Sequence, residues 1–436
     1  MNVIYLHSHD TGRQISPYGA NTFTPHLQAL AERGIVFRQA FSAAPTCSPS
    51  RAALLTGLTP HTAGMLGLAH RGFQLADYTT HLAHYLKSFG YDTILSGVQH
   101  EAFNATNLGY RRILGQLLAS KRTESAERDD LANAEMVAQF IRSCPKKPYF
   151  LSFGMFNTHR PFPSSRMKEG YLIPPSLLPN VPEVRKDYGA FLTAVQIMDQ
   201  CVGIVMDALY NTEQDNETLV LYTTDHGPPF PRMKCSLDDS GIGVSLIFKM
   251  PESTGCATGL VTDALVSHMD VFPTICDVLG IPRPSWLQGQ SLFLLSRGET
   301  NFVHDAVFAE SNYHVAYEPM RCVRTARYKL IRRFSLRVPL CNVDDGMTKD
   351  FLFDHGGIDA FQGMSDELYD LYLDPLEMRN LAYSTKYAAV RQDLNMRLRN
   401  WMITTHDPLL QGAVPKPAGA TVNTVTCYSP DEKIFE

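Results

Sequence analysis

The chain has 436 residues, of which 44% are hydrophobic, and this is enough for a large core and more than one domain. Its 39 basic and 44 acidic residues give a net charge of −5 with no long run of either sign. This balance argues against a nucleic-acid-binding surface or an acidic tail. No apolar stretch reaches the ~18 residues of a membrane span, so we expect no membrane partner.

The N-terminal segment, MNVIYLHSHD, enters an apolar run at once. It lacks the basic start, the long apolar stretch and the cleavage site of a secretory signal. If Met1 is the native start, we therefore expect a cytoplasmic protein. The nine cysteines are an odd number without a CxxC pair, and this pattern indicates neither a zinc module nor a disulfide framework.

Short apolar runs alternate with amphipathic stretches over the first 300 residues. The helix at 24–34 has Thr24 at the N-cap and Pro25 at the first helical position. Apolar strands separated by helices predict a parallel sheet covered on both faces. The strands are predicted at 3–6, 93–97, 149–154, 218–224 and 244–250, and the helices at 24–34, 81–90, 130–143 and 188–209.

The pattern changes near residue 300. Three strand-like pieces follow one another within 305–334, and a basic amphipathic stretch at 386–402 precedes a tail rich in proline and glycine. We therefore predict an α/β domain over 1–300 and a smaller α+β domain over 301–436.

Polar residues collect where the predicted strands end. Ligands of an open α/β sheet bind outside the carboxyl ends of its strands, so these side chains are expected to share one site. A lone histidine at such a place is more often structural, whereas two His-Asp pairs favour a metal site. The strand ends carry Ser8-His9-Asp10, Gln99-His100, Asn157-Thr158-His159-Arg160 and Asp225-His226-Gly227.

Cys47 lies in a polar loop just before the helix-like segment SRAALLTG. It could be a buried apolar residue, a disulfide partner, a metal ligand, a thiol nucleophile or the precursor of another group. A helix N-terminus stabilises anions, and Arg51 nearby suits attack on a phosphate or sulfate. A plain thiolate would need a base or a cation to activate it. The residues alone thus indicate an anion-handling metallohydrolase with Cys47 near its centre.

The segment Cys47-Ser48-Pro49-Ser50-Arg51, followed by AALLTG, matches the C-x-P-S-R signature. With the strand-end pairs and the segments VSHMDVFPTICDVLGI (266–281) and ELYDLYLDPLEMRNLA (367–382), the chain resembles the type I sulfatases of the alkaline phosphatase superfamily. GMLGL and DHGPPFPRMK are similar to N-sulfoglucosamine sulfohydrolase-like members. The resemblance covers most of the chain and implies a large, mixed, mostly parallel sheet sandwiched by helices.

The family mechanism needs formylglycine, which a maturation enzyme makes from the signature cysteine. The resemblance implies that this aldehyde is hydrated and that one hydroxyl, its pKa lowered by a divalent metal, attacks sulfur and releases the alcohol or amine. A histidine deprotonates the second hydroxyl, which expels sulfate. The implied substrate is a small sulfated molecule such as a sulfated sugar, and a homo-oligomer stays open.

The resemblance also implies roles for residues of this chain. Arg51 would hold the formylglycine, His100 would contact or deprotonate it, and His159 would donate a proton to the leaving group. Lys234 would clamp the sulfate. The implied metal ligands are His9, Asp10, the residue derived from Cys47, Asp225 and His226.

Two departures from the family pattern affect the metal and the substrate. Most members have oxygen ligands suited to calcium where this chain has His9 and His226, so manganese or zinc stands beside calcium. The phosphonate monoester hydrolase branch also carries Asp-His in the later pair, which makes a phosphonate monoester or phosphodiester hydrolase the alternative function. Val98 replaces a common lysine, so one cation at the sulfate is missing unless another side chain, such as Arg160 or Arg13, supplies it. The same replacement suggests a further alternative, an inactive sulfatase-like protein that binds sulfated ligands.

Some of these residues also have a structural interpretation. His9 could point away from the site, and Lys234 could be a solvated loop residue. His268 and Asp270 are expected to be architectural, holding the helix that follows the strand at 244–250.

Overall fold

The computed structural model describes residues 1–115, 117, 126–335, 339–357 and 365–436. The strands are β1 Asn2–Ser8, β2 Ile35–Phe41, β3 Asp92–Gly97, β4 Arg112–Leu114, β5 Tyr149–Gly154, β6 Thr218–Thr224, β7 Leu246–Lys249, β8 Leu260–Ser267, β9 Ala306–Tyr313, β10 Tyr317–Thr325, β11 Tyr328–Arg333 and β12 Asp366–Asp370. The helices are α1 Pro25–Glu32, α2 Cys47–Thr56, α3 Pro60–Ala63, α4 Leu82–Ser88, α5 Ala126–Arg142, α6 Pro182–Asn211, α7 Asp239–Ile242, α8 Val271–Leu279, α9 Phe293–Ser296, α10 Met347–Asp354 and α11 Ala388–Thr404.

An eight-stranded sheet forms the centre of the fold, in the order β4-β3-β5-β1-β6-β7-β2-β8. All neighbours are parallel except β7, which is antiparallel to both β6 and β2. Alternate residues of β1 point to opposite faces, with Ile4 and Leu6 in one core and Val3 and Tyr5 in the other. Helices α1, α5 and α6 cover the first face, and α2, α4 and α8 cover the second. The predicted mixed, mostly parallel sheet between helices is confirmed.

Helix α6 is long and apolar enough to cross a membrane by length and composition alone. However, 78% of its most apolar window is buried inside the fold. The residues that make it apolar pack under the sheet, as a core helix requires.

A second sheet, antiparallel and in the order β12-β11-β10-β9, follows along the chain. Helix α11 packs on one of its faces through Leu394, Leu398 and Met402. The other face shares a core with the large sheet, where Phe41 meets Val307. This shared core is important for function because it fixes the loops of the small sheet beside the strand ends of the large one. The division into domains at residue 301 stays a prediction.

Several elements differ from the sequence-based expectation. Strands β2, β4, β8 and β12 were not predicted, and the strand at 244–250 is shorter, at Leu246–Lys249. His268 and Asp270 follow β8 rather than β7. Strand β8 is an edge strand whose first half is partly exposed, so it lacks the continuous apolar run that marks the central strands.

The cap of α1 is supplied by tertiary structure. Thr24 occupies the N-cap position, but its side chain makes no capping bond and instead contacts Ser16 Oγ at 2.7 Å. The carboxylate of Asp199, on α6, accepts from the N–H groups of His26 and Leu27 at 3.2 and 2.8 Å. A distant carboxylate thus replaces the local cap that the sequence predicted.

Two glycines allow β3 and β5 to end close together beneath the strand-end loops. Gly97 has a φ of +71°, and a Cβ there would lie 2.0 Å from the Gly154 carbonyl oxygen. A Cβ on Gly154 would lie 2.1 Å from the Val98 carbonyl oxygen. The Val98 N–H donates to the Gly154 oxygen at 2.8 Å, so this close approach sets where the residues after β3 and β5 leave the sheet.

We expect Gly154→Ala to lower the free energy of unfolding by about 1–3 kcal/mol, because the new methyl group must displace backbone. Gly170→Ala is the matched control, because a Cβ there meets no atom within 4 Å. The control should change stability by less than ~0.5 kcal/mol. Urea unfolding of both variants measures the difference, and equal stabilities would contradict the packing argument.

Candidate active site

The carboxyl ends of β1, β3, β5 and β6 bring together the histidines that the sequence placed there. The ring of His9 lies 5.3 Å from that of His159 and 6.1 Å from that of His100, centroid to centroid. His9 is 3% exposed and points into the group, so it does not point away. The parallel order of these strands is what gathers residues that are far apart in sequence.

Helix α2 carries Cys47 to the same place. The helix begins at Cys47 itself, three residues earlier than the sequence suggested, and Cys47 is buried rather than in a polar loop. Pro49 is compatible with this start because an N–H in the first helical turn has no partner within the helix. The sulfur lies 3.4 Å from His226 Nε2. Cys47 thus lies in the first turn of a buried helix and faces the strand ends.

Asp225 is the acceptor around which the site is organised. Its Oδ1 accepts from the N–H groups of Asp10 and His226 at 2.8 and 3.0 Å, and its Oδ2 accepts from Arg51 Nη2 at 3.0 Å. Burial opposes ionisation, but His226 and Arg51 outweigh it and hold the pKa of Asp225 well below its usual range. The bond to Asp225 also helps to hold Asp10 at its φ of +40°.

Arg51 lies on the inner side of the site and is 1% exposed. Besides Asp225, its guanidinium contacts the Ser8 carbonyl at 3.0 Å and the Nδ1 atom of His7. Burial disfavours its charge, but Asp225 raises the pKa of Arg51 above its ordinary value. Its Nε atom is buried without a hydrogen-bond partner, so one N–H donor of this guanidinium is unused among the described residues.

The donor set fits a divalent cation. The ligand atoms of His9, Asp10, Cys47 and Asp225 all lie within 4.8 Å of one another. His9 Nδ1 lies 3.3 Å from Asp225 Oδ2, and Asp10 Oδ1 lies 3.2 Å from His226 Nε2. Neither His9 Nδ1 nor Asp10 Oδ1 makes a hydrogen bond with good geometry, and a cation would satisfy both. Three carboxylate or imidazole residues with a fourth donor are typical of a metal site.

The pKa of His9 and the hydrogen bond of His226 agree with this fit. Burial lowers the pKa of His9 to about 4, so its imidazole is neutral near pH 7, as a ligand must be. His226 Nδ1 lies 3.0 Å from the Gly227 carbonyl and donates to it. This bond fixes the tautomer that presents the Nε2 lone pair to the site, 3.2 Å from Asp10 Oδ1.

Lys234 is buried, not solvated. Its Nζ lies 2.9 Å from Asp10 Oδ2 and 2.8 Å from Asp344 Oδ2. Burial opposes the charge, but these two carboxylates raise the pKa of Lys234 well above its ordinary value. Asp344 was not among the sequence-based candidates, because no motif marks the segment that follows β11.

His100 stacks on His70, a residue to which the sequence gave no role. His100 Nε2 lies 2.9 Å from His70 Nδ1, and the rings are 6° from parallel. Burial lowers the pKa of His100 well below its usual value and that of His70 to about 4. His100 Nδ1 is buried without a partner, so a neutral imidazole nitrogen is available at the site.

His159 has a fixed tautomer. Its Nδ1 lies 2.6 Å from the Arg160 carbonyl oxygen and donates to it, which leaves Nε2 to hold or release a proton. The expectation that Arg160 or Arg13 supplies a cation is wrong. Arg160 is held by both carboxylate oxygens of Asp187 at 2.8 Å, and Arg13 donates to the Ala40 carbonyl.

These residues surround a cavity of about 130 Å³. Val98 contributes to its wall, as does Arg71, a cation that no sequence motif indicated. His314 enters from the turn between β9 and β10, and the C-terminal segment adds Pro430 and Asp431. The cavity is lined by His9, Cys47, Leu68, His70, Arg71, Val98, Gln99, His100, Phe156, His159, Lys234, His314, Val315, Asp344, Pro430 and Asp431.

Comparison with known proteins agrees with this geometry. A family model described as Sulfatase matches residues 1–281, and one described as N-sulphoglucosamine sulphohydrolase, C-terminal, matches residues 234–343. N-sulphoglucosamine sulphohydrolase of Homo sapiens is 29% identical, over 93% of this chain and 91% of its own length.

Two solved structures show the same fold. A 2-O GAG sulfatase superposes with a TM-score of 0.72 at 21% identity, covering 99% of this chain and 98% of its own. The phosphonate monoester hydrolase of Agrobacterium radiobacter superposes with a TM-score of 0.70 at 20% identity, covering 94% and 97%.

The large, mostly parallel sheet between helices and the small antiparallel sheet define an α/β fold of the alkaline phosphatase-like type. Because the Sulfatase model matches more than half of its length, the chain belongs to the Sulfatase family. It is a sulfuric ester hydrolase.

Burial raises the pKa of the Cys47 thiol well above its ordinary value, and Asp225 and Asp10 add to the effect of burial. We therefore expect protein that retains the cysteine to resist alkylation by iodoacetamide at pH 7.5 at Cys47, while the exposed Cys144 reacts. Peptide mass spectrometry measures both sites in one sample, and unfolded protein provides the fully labelled reference. Equal labelling of the two cysteines in folded protein would show that Cys47 is an accessible thiolate.

Proposed function

We propose that this protein hydrolyses the sulfate ester or N-sulfate of a sulfated sugar, using a formylglycine made from Cys47. The observation that carries the proposal is the position of Cys47 in the first turn of α2, with its sulfur 3.4 Å from His226 Nε2. The human relative, an N-sulphoglucosamine sulphohydrolase, supports the substrate class. A formylglycine-generating enzyme is the partner that this maturation needs.

Position 47 is unsuited to a thiol nucleophile. The cysteine is buried and its pKa is raised, so little thiolate is present near pH 7. Conversion to formylglycine supplies a hydrated aldehyde whose oxygens would occupy the place of the sulfur. The N-terminus of α2 and the partnerless Nε of Arg51 would then stabilise negative charge on that group.

We assign the proton transfers to two histidines that line the cavity, His100 and His159. His100 is neutral, and its partnerless Nδ1 can accept a proton from the hydrated group when sulfate leaves. His159 donates through Nδ1 to the Arg160 carbonyl, so its Nε2 can deliver a proton to the departing oxygen or nitrogen. Both side chains line the cavity that contains Cys47.

Lys234 supplies the charge that binds the sulfate. Its ammonium group has three donors, of which Asp10 and Asp344 take two. The third can point to a sulfate oxygen. Because the two carboxylates fix the amine in a buried place, this donor is oriented before the substrate binds.

A divalent ion would be held by His9, Asp10, Asp225 and His226, together with the group at position 47. When bound, it would supply positive charge that lowers the pKa of the nucleophilic hydroxyl and offsets the charge of the sulfate. The two imidazoles favour manganese or zinc over calcium, which prefers oxygen ligands.

Hydrolysis of a phosphonate monoester or a phosphodiester is the second candidate. His226 at the site is the observation that favours it, and the phosphonate monoester hydrolase of similar fold uses the same scaffold. Sulfate, phosphonate and phosphodiester groups are all tetrahedral anions of similar shape. Only a comparison of turnover on these substrates can therefore distinguish the two functions.

We expect protein produced with a formylglycine-generating enzyme to carry the aldehyde at position 47 and to release sulfate from aryl sulfates and sulfated sugars. Cys47→Ala should lower kcat/KM by about a thousandfold or more, because the nucleophile is lost. Cys144→Ala, a change at an exposed cysteine, is the control and should retain activity.

Peptide mass spectrometry of position 47 and turnover of aryl sulfate, aryl phosphonate and diester substrates should be measured on one preparation. Full activity with an unmodified thiol would exclude the formylglycine mechanism. A higher kcat/KM for the phosphonate or the diester would favour the second candidate instead.

We expect the purified protein to retain about one divalent ion per chain and to lose thermal stability when a chelator removes it. Asp10→Ala should weaken metal binding at least about tenfold, since a ligand is lost. Asp263→Ala, a change at an exposed carboxylate, should not weaken it. Metal content by mass spectrometry and melting curves with added manganese, zinc or calcium identify the ion. Equal metal content in Asp10→Ala and Asp263→Ala would place the metal elsewhere.

A further inference from the structure

The outer part of the active-site cavity carries two side chains that the proposed mechanism does not use, Arg71 and His314. Both line the cavity with Lys234 and His159. They come from different parts of the chain, since Arg71 follows α3 and His314 lies between β9 and β10.

Arg71 is a half-buried cation whose hydrogen bonds go to neutral acceptors. Burial lowers the pKa of Arg71, and the charge of Asp431, which lines the same cavity, partly opposes this effect. Its Nη1 donates to Asn423 Oδ1 at 2.8 Å and its Nη2 to the Pro430 carbonyl at 3.0 Å. Both acceptors are neutral, so they fix the guanidinium in place without cancelling its charge. Three of its five N–H donors stay available to a ligand.

His314 is 5% exposed, and its Nδ1 is buried without a hydrogen-bond partner. Within the described part of the chain, no residue bonds to this nitrogen, although His314 lines the cavity. A buried polar atom that lacks a partner is costly, so a ligand that bonds to it gains affinity. Burial, followed by the charge of Lys234, lowers the pKa of His314 well below its usual value. Its neutral ring therefore offers one N–H donor.

Asn423 connects these two residues. It is fully buried; its Oδ1 holds Arg71, and its backbone N–H donates to the Val315 carbonyl at 2.7 Å, next to His314. Its side-chain amide nitrogen donates to the Glu432 carbonyl at 2.7 Å. This bond holds the C-terminal segment in place beside the cavity. The spacing of Arg71 and His314 is thus built into the fold.

We propose that Arg71 and His314 form an anionic subsite that binds a second negative group, a carboxylate or a second sulfate, on the sulfated sugar. This inference rests on the proposed function, because it places the scissile sulfate at Lys234 and Cys47. Arg71 is assigned to the second group because it is half-buried at the mouth, whereas Lys234 is 3% exposed at the base. Two carboxylates also line the cavity, Asp344 and Asp431, and that of Asp344 bonds to Lys234 Nζ at 2.8 Å.

The test uses the full chain in the Cys47→Ala background, which binds without turnover. Calorimetry compares glucosamine 2-N-sulfate with glucosamine 2-N,6-O-disulfate. A second pair, an N-sulfated disaccharide with a free uronate and its methyl ester, distinguishes a carboxylate from a sulfate as the second group. Arg71→Gln should weaken the doubly anionic member of at least one pair about tenfold or more. It should leave the singly anionic member within about twofold.

His314→Gln should give the same pattern with a smaller change, because it removes a neutral donor. Arg399→Gln, which removes an exposed arginine on α11, is the control and should change nothing. Circular dichroism checks that the Arg71 and His314 variants fold, and Arg71→Lys should recover part of the selectivity if charge is what matters.

Equal weakening of both members of a pair would assign Arg71 to the scissile sulfate and overturn the proposal. No weakening of either member, or no binding by the Cys47→Ala protein, also overturns it. The proposed function is tested separately by sulfate release from matured wild-type protein. Selective binding without sulfate release contradicts the function alone, and sulfate release without selectivity contradicts the subsite alone.

Discussion

The buried pair of Arg51 and Asp225 is the interaction on which the site depends. It joins α2 to the end of β6 at 3.0 Å, and both side chains are almost fully buried. The same carboxylate accepts the N–H groups of Asp10 and His226, so a single residue connects the ends of β1 and β6 with the helix that carries Cys47. Removing one partner of such a pair costs about 3–5 kcal/mol, because the other charge stays buried alone.

The small sheet contributes residues to the wall of the candidate active site. Its β9–β10 turn brings His314 to the cavity, and the segment after β11 brings Asp344 to Lys234. The two sheets share an apolar core around Phe41 and Val307, so these loops are held at a fixed distance from the strand ends. This arrangement separates two tasks. In the proposed function, the large sheet supplies the groups that act on sulfur, and the small sheet with the C-terminal segment shapes the outer wall of the cavity.

The central strands were predictable because both of their faces are buried. Predicted strands at 149–154 and 218–224 have the observed bounds of β5 and β6, since continuous apolar runs have no other place in a folded chain. The edge strands β4 and β8 were missed because their exposed residues interrupt the pattern. The start of α2 was also missed, since the burial of Cys47 is decided by Asp225 and His226, which lie far away in sequence. The expected cytoplasmic location and any oligomer stay predictions.

The sequence by itself determined the family, the candidate nucleophile position at Cys47 and the four strand ends that carry the candidate site residues, because each depends on a short local pattern. Only the tertiary structure decided which cations line the cavity. It assigned Arg160 to Asp187, Arg13 to a backbone carbonyl and Arg71 to the mouth of the cavity. A long arginine side chain can reach several hydrogen-bond acceptors. The acceptor that it contacts in the fold, such as Asn423 for Arg71, comes from a distant segment that no local sequence pattern reveals.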